Sequence, residues 1–378
     1  ASGGLSFYSG STSMGVSVGA SSSLSFSAVY ACVNLISSDL ATLPVSIYKE
    51  TANGNERQSQ HDQAYLIRKQ PHELYNSVVY RKTMFSNFLL WGNAYAKIHR
   101  GKTGRPERYE IWKPWEVEPY VVTLPDGRKE KYFKNYVTGE VLSADDMIHI
   151  ADLSHDGIKG LSKIALAKTS ISLGLNAAKL GDDYYKKGAF MSGYLKLKKR
   201  LNDDGRKALR EDFVAQYAGR DNAGSIGILE EDTDFVPYNM AMPFTDAEWL
   251  GGRKFQTEEI ARFFNTPPHK IADLSKSSFS NIEQQNIEYV VNTLTPIAKL
   301  YEIEHDTKIF TPVHRSDHFL KLELKGLLRG DIKSRTEFYT KMIDRFQFLV
   351  VQLRGTALLF YCFNVWFQFL VVQLRVVY

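Results

Sequence analysis

One cluster near the middle of the chain combines side chains that bind divalent metals in hydrolases. Its members, all within eight consecutive positions, are His149, Asp152, His155 and Asp156. Imidazole and carboxylate groups are common ligands for catalytic metal ions. The spacing differs from the helical H-E-x-x-H motif, and the glycines that follow place half of the cluster in a turn. A monomeric metal-dependent hydrolase using this cluster is therefore kept as the alternative function.

A second segment imitates a nucleotide-binding motif. Gly101, Lys102 and Thr103 match the end of a phosphate-binding loop, but the motif requires a glycine where this chain has Ala96. The segment also lies between two predicted strands, whereas the motif joins a strand to a helix. The main prediction is therefore that the chain is not an enzyme, with no catalytic residue, metal site or cofactor.

Composition limits the remaining possibilities. The chain has 378 residues, of which 44% are hydrophobic, so it can form a substantial core. Its formal net charge of +5 is too small for a domain that coats nucleic acid, and any DNA contact should be local. Cys32 and Cys362 fit no metal or redox spacing, which favours a reducing cytosol.

Short strands alternate with helices in the first part of the chain, which predicts an α+β body. A helix begins at Ser27, carries apolar residues at helical spacing, and ends before Pro44, where a strand starts. Further helices are predicted over residues 77–91, 160–187, 245–264 and about 280–309, and a strand hairpin is predicted through Gly101 and Gly104. Pro296 should kink the last of these helices, because proline lacks an N–H group.

The predicted helix over residues 160–187 has two apolar stripes on opposite sides. The first stripe comprises Ile164, Ala167, Ile171, Leu175 and Ala178, and the second comprises Leu166, Leu173, Ala177, Leu180 and Tyr184. One polar seam between them carries Lys168, Ser172, Asn176, Lys179 and Lys186, and the other carries Ser170, Gly174 and Gly181. Apolar flanks on both sides suit a closed ring of helices, and they also suit a helix between two layers of one core.

An ordered series of motifs runs along the chain. The opening helix, residues 27–43, is the first of them. The others, in chain order, are His149, Asp156-Gly157, Gly160-Leu161-Ser162, Tyr185 to Phe190, Ser225 to Glu230, Phe235-Val236-Pro237, Ile260 to Pro268, Phe279 to Gln284 and Leu294-Thr295-Pro296. In this order the motifs resemble those of the portal proteins of tailed bacteriophages, in their long-tailed, lambdoid-capsid branch. The resemblance covers about residues 27–343.

The resemblance implies a portal fold: an α/β wing, a helical stem, a small α/β clip and a partial helical crown, assembled as a ring. The implied divisions are a flexible N-terminal arm at 1–26, a wing at 27–159, stem helices at 160–193 and 241–264, a clip at 194–240, a tunnel loop at 265–280, and a kinked helix, returning wing strand and start of the crown at 281–343.

The same resemblance implies the function. Portal subunits form a homo-oligomeric ring, typically a dodecamer, at one capsid vertex, and double-stranded DNA passes through it during packaging and ejection. The implied protein partners are the large terminase, the major capsid protein and a head–tail adaptor, with no membrane. The expected location is the virion, and the host cytoplasm during assembly.

Basic residues are the candidate sites. In a ring, Lys270 and Lys276 of the tunnel loop would meet passing phosphates without reading sequence, and Lys168, Lys179 and Lys186 are further tunnel candidates. The clip candidates for terminase or adaptor docking are Lys196, Lys198, Lys199, Arg200, Arg206, Lys207 and Arg210. Solvated surface residues are the alternative interpretation of both sets.

The end of the chain, residues 344–378, departs from the family pattern and is left unassigned. Residues 346–354 recur unchanged as residues 367–375, and twenty residues without charge separate Arg354 from Arg375. This stretch could be a membrane anchor, an apolar crown helix buried in an oligomer, or an altered sequence. The perfect repeat in an otherwise non-repetitive chain favours the last interpretation.

Overall fold

The helix that opens the wing shows how the local sequence sets the fold. Helix α2, Ser27–Thr42, buries Val29, Ile36 and Leu40 completely. Leu43 then adopts an extended conformation before Pro44, and strand β3, Val45–Thr51, follows. The predicted change from helix to strand is confirmed.

The computed structural model describes residues 10–11, 17–186, 193–197, 202–217, 233–237, 246–271, 279–311, 314–324 and 326–327. The chain divides into two units, residues 1–324 and 325–378, and every helix and strand named below belongs to the first. The unassigned tail, Lys198, Lys199, Arg200 and Lys276 lie outside the described residues.

The described elements follow one another along the chain. The strands are β1 Gly10–Ser11, β2 Ser17–Val18, β3 Val45–Thr51, β4 Gly54–Arg57, β5 Asn93–Arg100, β6 Pro106–Trp112, β7 Val117–Thr123, β8 Lys129–Asn135, β9 Val141–Ser143, β10 Met147–Ala151, β11 Gly193–Leu197, β12 Thr233–Pro237 and β13 His318–Leu322. The helices are α1 Ala20–Ser23, α2 Ser27–Thr42, α3 Ala64–Arg68, α4 Ser77–Trp91, α5 Lys163–Leu166, α6 Lys168–Lys186, α7 Asp203–Tyr217, α8 Asp246–Phe263, α9 Phe279–Tyr289 and α10 Thr295–Ile309.

Small antiparallel sheets accompany the helices, which confirms the α+β class. Three of them have three strands, in the orders β13-β3-β4, β10-β5-β6 and β7-β8-β9. Strand β13 pairs with β3 from His318 opposite Lys49 to Leu322 opposite Val45, where the sequence predicts a returning strand. The two-stranded sheet β11-β12, with α7 between its strands in the chain, occupies the predicted clip.

The main hydrophobic core spans the wing and the beginning of the stem. It joins α2 and α4 to strands β3, β5, β10 and β13 and to buried residues of α5, α6, α8 and α10. A smaller core lies between two sheets and comprises Tyr95, Trp112, Val117, Phe133 and Met147. The wing and the stem helices therefore share one continuous apolar interior.

The residues just before α2 are packed against the core, which corrects the end of the predicted arm. The sequence predicts a flexible arm over residues 1–26, yet Val18, Ala20, Ser23 and Phe26 are buried. Phe26 packs against Gly174 of α6, where an added Cβ would lie 2.7 Å from the Phe26 ring. The small-residue seam of α6 thus receives a ring from its own chain, and this contact orders the segment just before α2.

The first stem helix also differs from the prediction, because it begins at Lys163 and not at Gly160. The Ser162 side chain accepts a hydrogen bond from the Ala165 N–H and so caps the helix. Gly160 donates its N–H to Asn93 Oδ1 at 2.8 Å and accepts from Asn93 Nδ2 at 2.7 Å. These bonds to the wing leave Gly160 outside the helix.

Helix α10 satisfies backbone groups at the edges of two sheets. Asp306 and Glu302 accept the N–H groups of Leu320 and Leu322 in β13, at 2.6 and 2.7 Å. Glu304 accepts the His149 N–H of β10 at 2.8 Å. Since β13 and β10 are edge strands of the described sheets, α10 supplies the partners that another strand would otherwise provide.

We expect Gly92→Ala to destabilise the junction between wing and stem. Gly92 has φ +69°, and an added Cβ would lie 2.1 Å from the Leu161 carbonyl oxygen. Gly127, with φ +83° and open space, is the matched control, because its replacement by Ala meets only the backbone strain. Gly127→Ala should cost about 1 kcal/mol and Gly92→Ala roughly 2 kcal/mol more, measured by urea denaturation. Equal losses would contradict the close packing at Gly92.

We expect Asp306 to make the wing less stable as the pH rises. Burial raises the pKa of Asp306 from 3.8 to about 7, while the bond from Leu320 opposes that shift. A raised carboxyl pKa favours the protonated folded form, so stability should fall from about pH 4 to about pH 7. Asp306→Asn keeps an oxygen acceptor and cannot ionise. Relative to wild type it should gain about 2 kcal/mol across that range in urea denaturation at dilute protein; a constant difference would refute this assignment.

Candidate functional site

Helix α6 packs against α8, and these two helices together with α5 are called the stem hairpin below. The two apolar stripes of α5 and α6 have different surroundings. In the first stripe, Ile164, Ala167 and Ile171 are buried against the core. In the second stripe, Leu166 and Leu173 remain 56% and 47% exposed. Helix α8 likewise leaves Phe255 54% exposed, with the Arg262 guanidinium over its ring. The hairpin therefore has apolar side chains on its outer surface that the described part of the single chain leaves uncovered.

The polar seam of α6 is only partly open to solvent. Lys179 is exposed and Lys168 is half-buried, whereas Ser172 is fully buried and accepts a hydrogen bond from Asn176 Nδ2 at 3.5 Å. The side chain of Lys186 lies outside the described residues. The assignment of these lysines to a tunnel stays a prediction.

In the clip, the basic candidates within the described residues are exposed. Lys196 lies on β11, and Arg206, Lys207 and Arg210 lie on α7. Arg206 approaches Asp203 of the same helix at 3.4 Å, which is a weak exposed pair. These cations are thus open to a partner, and their docking role stays a prediction.

The predicted tunnel loop starts from a firmly attached base. After α8 ends, Thr266 is buried and Pro268–Ile271 form a short 3-10 turn. The two ring nitrogens of His269 lie 2.7 and 3.2 Å from Gln285 Oε1 and Asn286 Oδ1, both on α9. The turn is therefore held against α9.

The structure places Lys270 on an aromatic ring. Its Nζ lies 5.4 Å from the centre of the Tyr289 ring, and the Tyr289 hydroxyl donates to Asp39 Oδ2 at 2.9 Å. Burial raises the pKa of Asp39, and the Tyr289 bond and the positive charge of Lys270 act against that shift. Lys270 is half-buried and links the loop base to α9 and, through Tyr289, to α2.

A polar cleft of about 450 Å³ opens beside this base, between α8 and α9. Its wall includes Glu258 and Arg262 from α8, His269 from the turn, and Glu288 and Asn292 from the opposite side. The cleft separates the end of the stem from the long helix that follows the loop. No local sequence pattern indicates it, because its walls come from segments about thirty residues apart.

The long helix after the loop contains an irregular segment just before Pro296, where the sequence predicts a kink. A π-helical segment at Val290–Leu294 separates α9 from α10, and Pro296 lies in the first turn of α10. The Thr295 N–H and its hydroxyl both donate to the Val290 carbonyl. The disturbance thus begins one turn before the proline, where its missing N–H and its ring act on the preceding helix.

The metal-binding interpretation of the His149 cluster is wrong, because three of its four members, His149, Asp152 and Asp156, have other partners. His149 is buried, with Nε2 3.0 Å from Asn93 Oδ1 and Nδ1 3.0 Å from Lys131 Nζ. Burial, and then the charges of Lys131 and Lys308, lower the pKa of His149 well below its ordinary value. Within the described ranges, no three His, Cys, Asp or Glu residues are arranged to hold a metal ion.

The two aspartates of that cluster also have structural partners. Asp152 forms an ion pair with Lys163 at the start of the stem. Asp156 accepts the N–H groups of Ile158 and Lys159, and these bonds, with that of Ser154, lower its pKa to about 2. His155 is exposed in the same turn. The partners of the two aspartates show that the segment serves as the connection between wing and stem.

The segment resembling a phosphate-binding loop is the turn of the β5–β6 hairpin. The Gly101 N–H donates to the Arg105 carbonyl and the Gly104 N–H donates to the Gly101 carbonyl, both at 2.9 Å. A strand follows the turn where the motif requires a helix, so its backbone N–H groups do not form a phosphate cradle at a helix N-terminus. Among the described helices, none is both long and apolar enough to cross a membrane.

Comparison with known proteins agrees with this architecture. The chain matches the family model "Phage portal protein" over residues 27–348. It is 29% identical over 328 residues to the probable portal protein of Streptomyces phage phiC31, covering 84% of this chain and 71% of that one. It is also 29% identical over 324 residues to the portal protein of Enterobacteria phage HK97, covering 84% and 75%.

Solved structures show the same fold at lower identity. A HK97-family phage portal protein from Corynebacterium diphtheriae aligns with a TM-score of 0.59 and 14% identity, over 82% of this chain and 97% of that one. A chain in the neck of a native gene transfer agent particle, computed with C12 symmetry, aligns with a TM-score of 0.53 and 18% identity, over 87% and 86%. With the family model matching most of its length, this chain belongs to the phage portal protein family.

Proposed function

We propose that this chain forms a closed ring of twelve subunits at one capsid vertex, through which double-stranded DNA enters and leaves the head. The main observation behind this proposal is the exposed apolar surface of the stem hairpin, which includes Leu166 and Leu173 on α5 and α6 and Phe255 on α8. A ring requires two different complementary surfaces on each subunit, and two helices with uncovered apolar residues can supply them. The C12 symmetry of the gene transfer agent neck supports the number twelve.

In this proposal the chain conducts DNA and does not hydrolyse ATP. Lys270 and Lys276 of the loop, with Lys168, Lys179 and Lys186 of the stem, attract phosphates without reading sequence. The segment Gly101 to Thr103, which resembles the end of a phosphate-binding loop, forms a hairpin turn. In this proposal the energy for DNA movement therefore comes from the large terminase. ATP turnover by the isolated ring above a matched blank would contradict this part of the proposal.

The clip is the proposed docking surface for the terminase and then for the head–tail adaptor. Its exposed cations on α7, Arg206, Lys207 and Arg210, lie within five positions and suit an acidic partner. The major capsid protein is the proposed partner of the ring in the shell. The ring would thus belong to the virion and assemble in the host cytoplasm.

We expect Leu173→Asp to prevent ring formation without unfolding the subunit. Leu173 is 47% exposed, so an acidic side chain costs little in the single chain but would be buried unpaired in the proposed interface. Val137→Asp makes a similar change at a 72% exposed wing position and should leave assembly intact. Native mass spectrometry and electron microscopy measure the outcome. Normal rings from Leu173→Asp, or a monodisperse monomer from wild type under all assembly conditions, would contradict the proposed interface.

We expect the double replacement Lys270→Ala/Lys276→Ala to impair DNA packaging or genome retention while rings persist. The loss of Lys270 removes one cation–π contact, which should cost less than about 1 kcal/mol. The defect should depend on salt, because phosphate contacts are screened. Lys102→Ala/Lys129→Ala removes two exposed wing lysines and is the control. The measurement is nuclease-protected DNA per particle. Normal packaging and retention would contradict a tunnel role and would support the alternative that both lysines are solvated surface residues.

A further inference from the structure

One residue at the end of α8 has an unusual backbone conformation. Asn265 has φ 51°, and it alone among the described non-glycine residues has a positive φ. Its N–H donates to the Arg262 carbonyl, and the next N–H, of Thr266, donates to the Ala261 carbonyl. These are the bonds of a helix end closed by a left-handed residue, a position that glycine usually occupies. Asparagine also occurs at this position, so the backbone permits Asn265 but does not explain why it stands in place of glycine.

The side chain of Asn265 supplies the reason. Its Nδ2 donates to the Asn292 carbonyl at 3.1 Å, and the Thr293 hydroxyl donates back to the Asn265 carbonyl at 2.5 Å. Asn292 lies in the π-helical segment, four residues before Pro296. In a regular helix residue 296 would donate its N–H to this carbonyl, and proline has none. Asn265 thus provides a donor to a carbonyl that the proline cannot serve.

This contact joins the two sides of the loop. Asn265 begins the predicted tunnel loop, and the π-helical segment follows the loop after one helix, α9. The bonds of His269 and Lys270 to α9 hold the turn after Asn265, while Asn265 itself combines the change of backbone direction with a bond to the helix interruption. A glycine would permit the turn without fixing it to Asn292.

We propose that Asn265 is a positioning residue for the base of the proposed DNA-facing loop, residues 265–271: it fixes the direction in which the chain leaves the stem by joining that point to the π-helical segment before Pro296. The inference rests on the proposed DNA-conducting function. It assigns to Asn265 no contact with DNA. The residue acts through the turn Pro268–Ile271 that follows it and carries Lys270, so its replacement should change DNA handling more than it changes ring assembly.

Two single variants test the donor. Asn265→Asp tolerates the left-handed conformation but sets a carboxylate oxygen against the Asn292 carbonyl, while Asn265→Gly keeps the conformation and removes the amide. Particles are assembled with the wild-type portal or with either variant, and nuclease-protected DNA per particle should fall roughly tenfold for Asn265→Asp and less for Asn265→Gly. Ring mass should be unchanged in both. Packaging equal to wild type in both variants would overturn the inference.

A double-variant cycle distinguishes positioning from general damage. Pro296→Ala restores an N–H that can serve Asn292, so Asn265→Ala should cost less packaged DNA in that background than in wild type. Equal costs in the two backgrounds would overturn the inference, and this cycle decides the matter should Asn265→Asp fail to assemble. If wild-type rings themselves carry no DNA into particles, the proposed function fails instead. If wild-type rings package normally and the Asn265 variants do too, only the role of Asn265 fails.

Discussion

The open edges of two small sheets impose the constraint on which the wing depends. In the described sheets, strands β10 and β13 each lack a neighbour on one side, and a buried unpaired N–H costs about as much as a lost hydrogen bond. Helix α10 meets this need with alternating carboxylates, Glu302 and Asp306 toward β13 and Glu304 toward β10. Lys308 completes the set by donating to the Met147 carbonyl of β10 at 2.5 Å. One helix therefore closes two sheets.

This use of α10 also connects the wing to the loop. Helix α10 follows the π-helical segment, which is bonded to Asn265, and α9 carries the groups that hold His269 and Lys270. A displacement of the loop base would therefore act, through α9 and the π-helical segment, on the helix α10 that closes the wing sheets. These side chains resist rotation of α10, since a turn of the helix would break the bonds that Glu302, Glu304 and Asp306 accept and leave the strand N–H groups unpaired. The base of the loop is thus connected to a helix, α10, that is hydrogen-bonded to two sheets of the wing.

Sequence patterns predicted the parts of this fold that depend on neighbouring residues. The helix over Ser27–Thr42, the helix over Ser77–Trp91 and the hairpin through Gly101 and Gly104 follow from periodicity, proline and turn residues. Long-range contacts were not predictable in this way. Phe26 against Gly174 orders the end of the arm, and Asn93 holds Gly160 outside the stem helix. The bond between Tyr289 and Asp39 joins residues 250 positions apart, and no local pattern marks either one.

The position of Lys270 changes how the charge of the loop should be understood. A solvated lysine offers its whole ammonium group to a phosphate, whereas this ammonium faces the Tyr289 ring, whose hydroxyl is bonded to Asp39. To approach DNA directly it would have to leave the ring and forgo a contact worth roughly 0.5–1 kcal/mol at a partly exposed site. That cost is comparable to the gain from one screened phosphate contact, so neither state of Lys270 excludes the other. In the proposed DNA channel, a lysine balanced in this way can hold the loop base between encounters with DNA and still respond when a phosphate comes near, without a large change in the energy of the subunit.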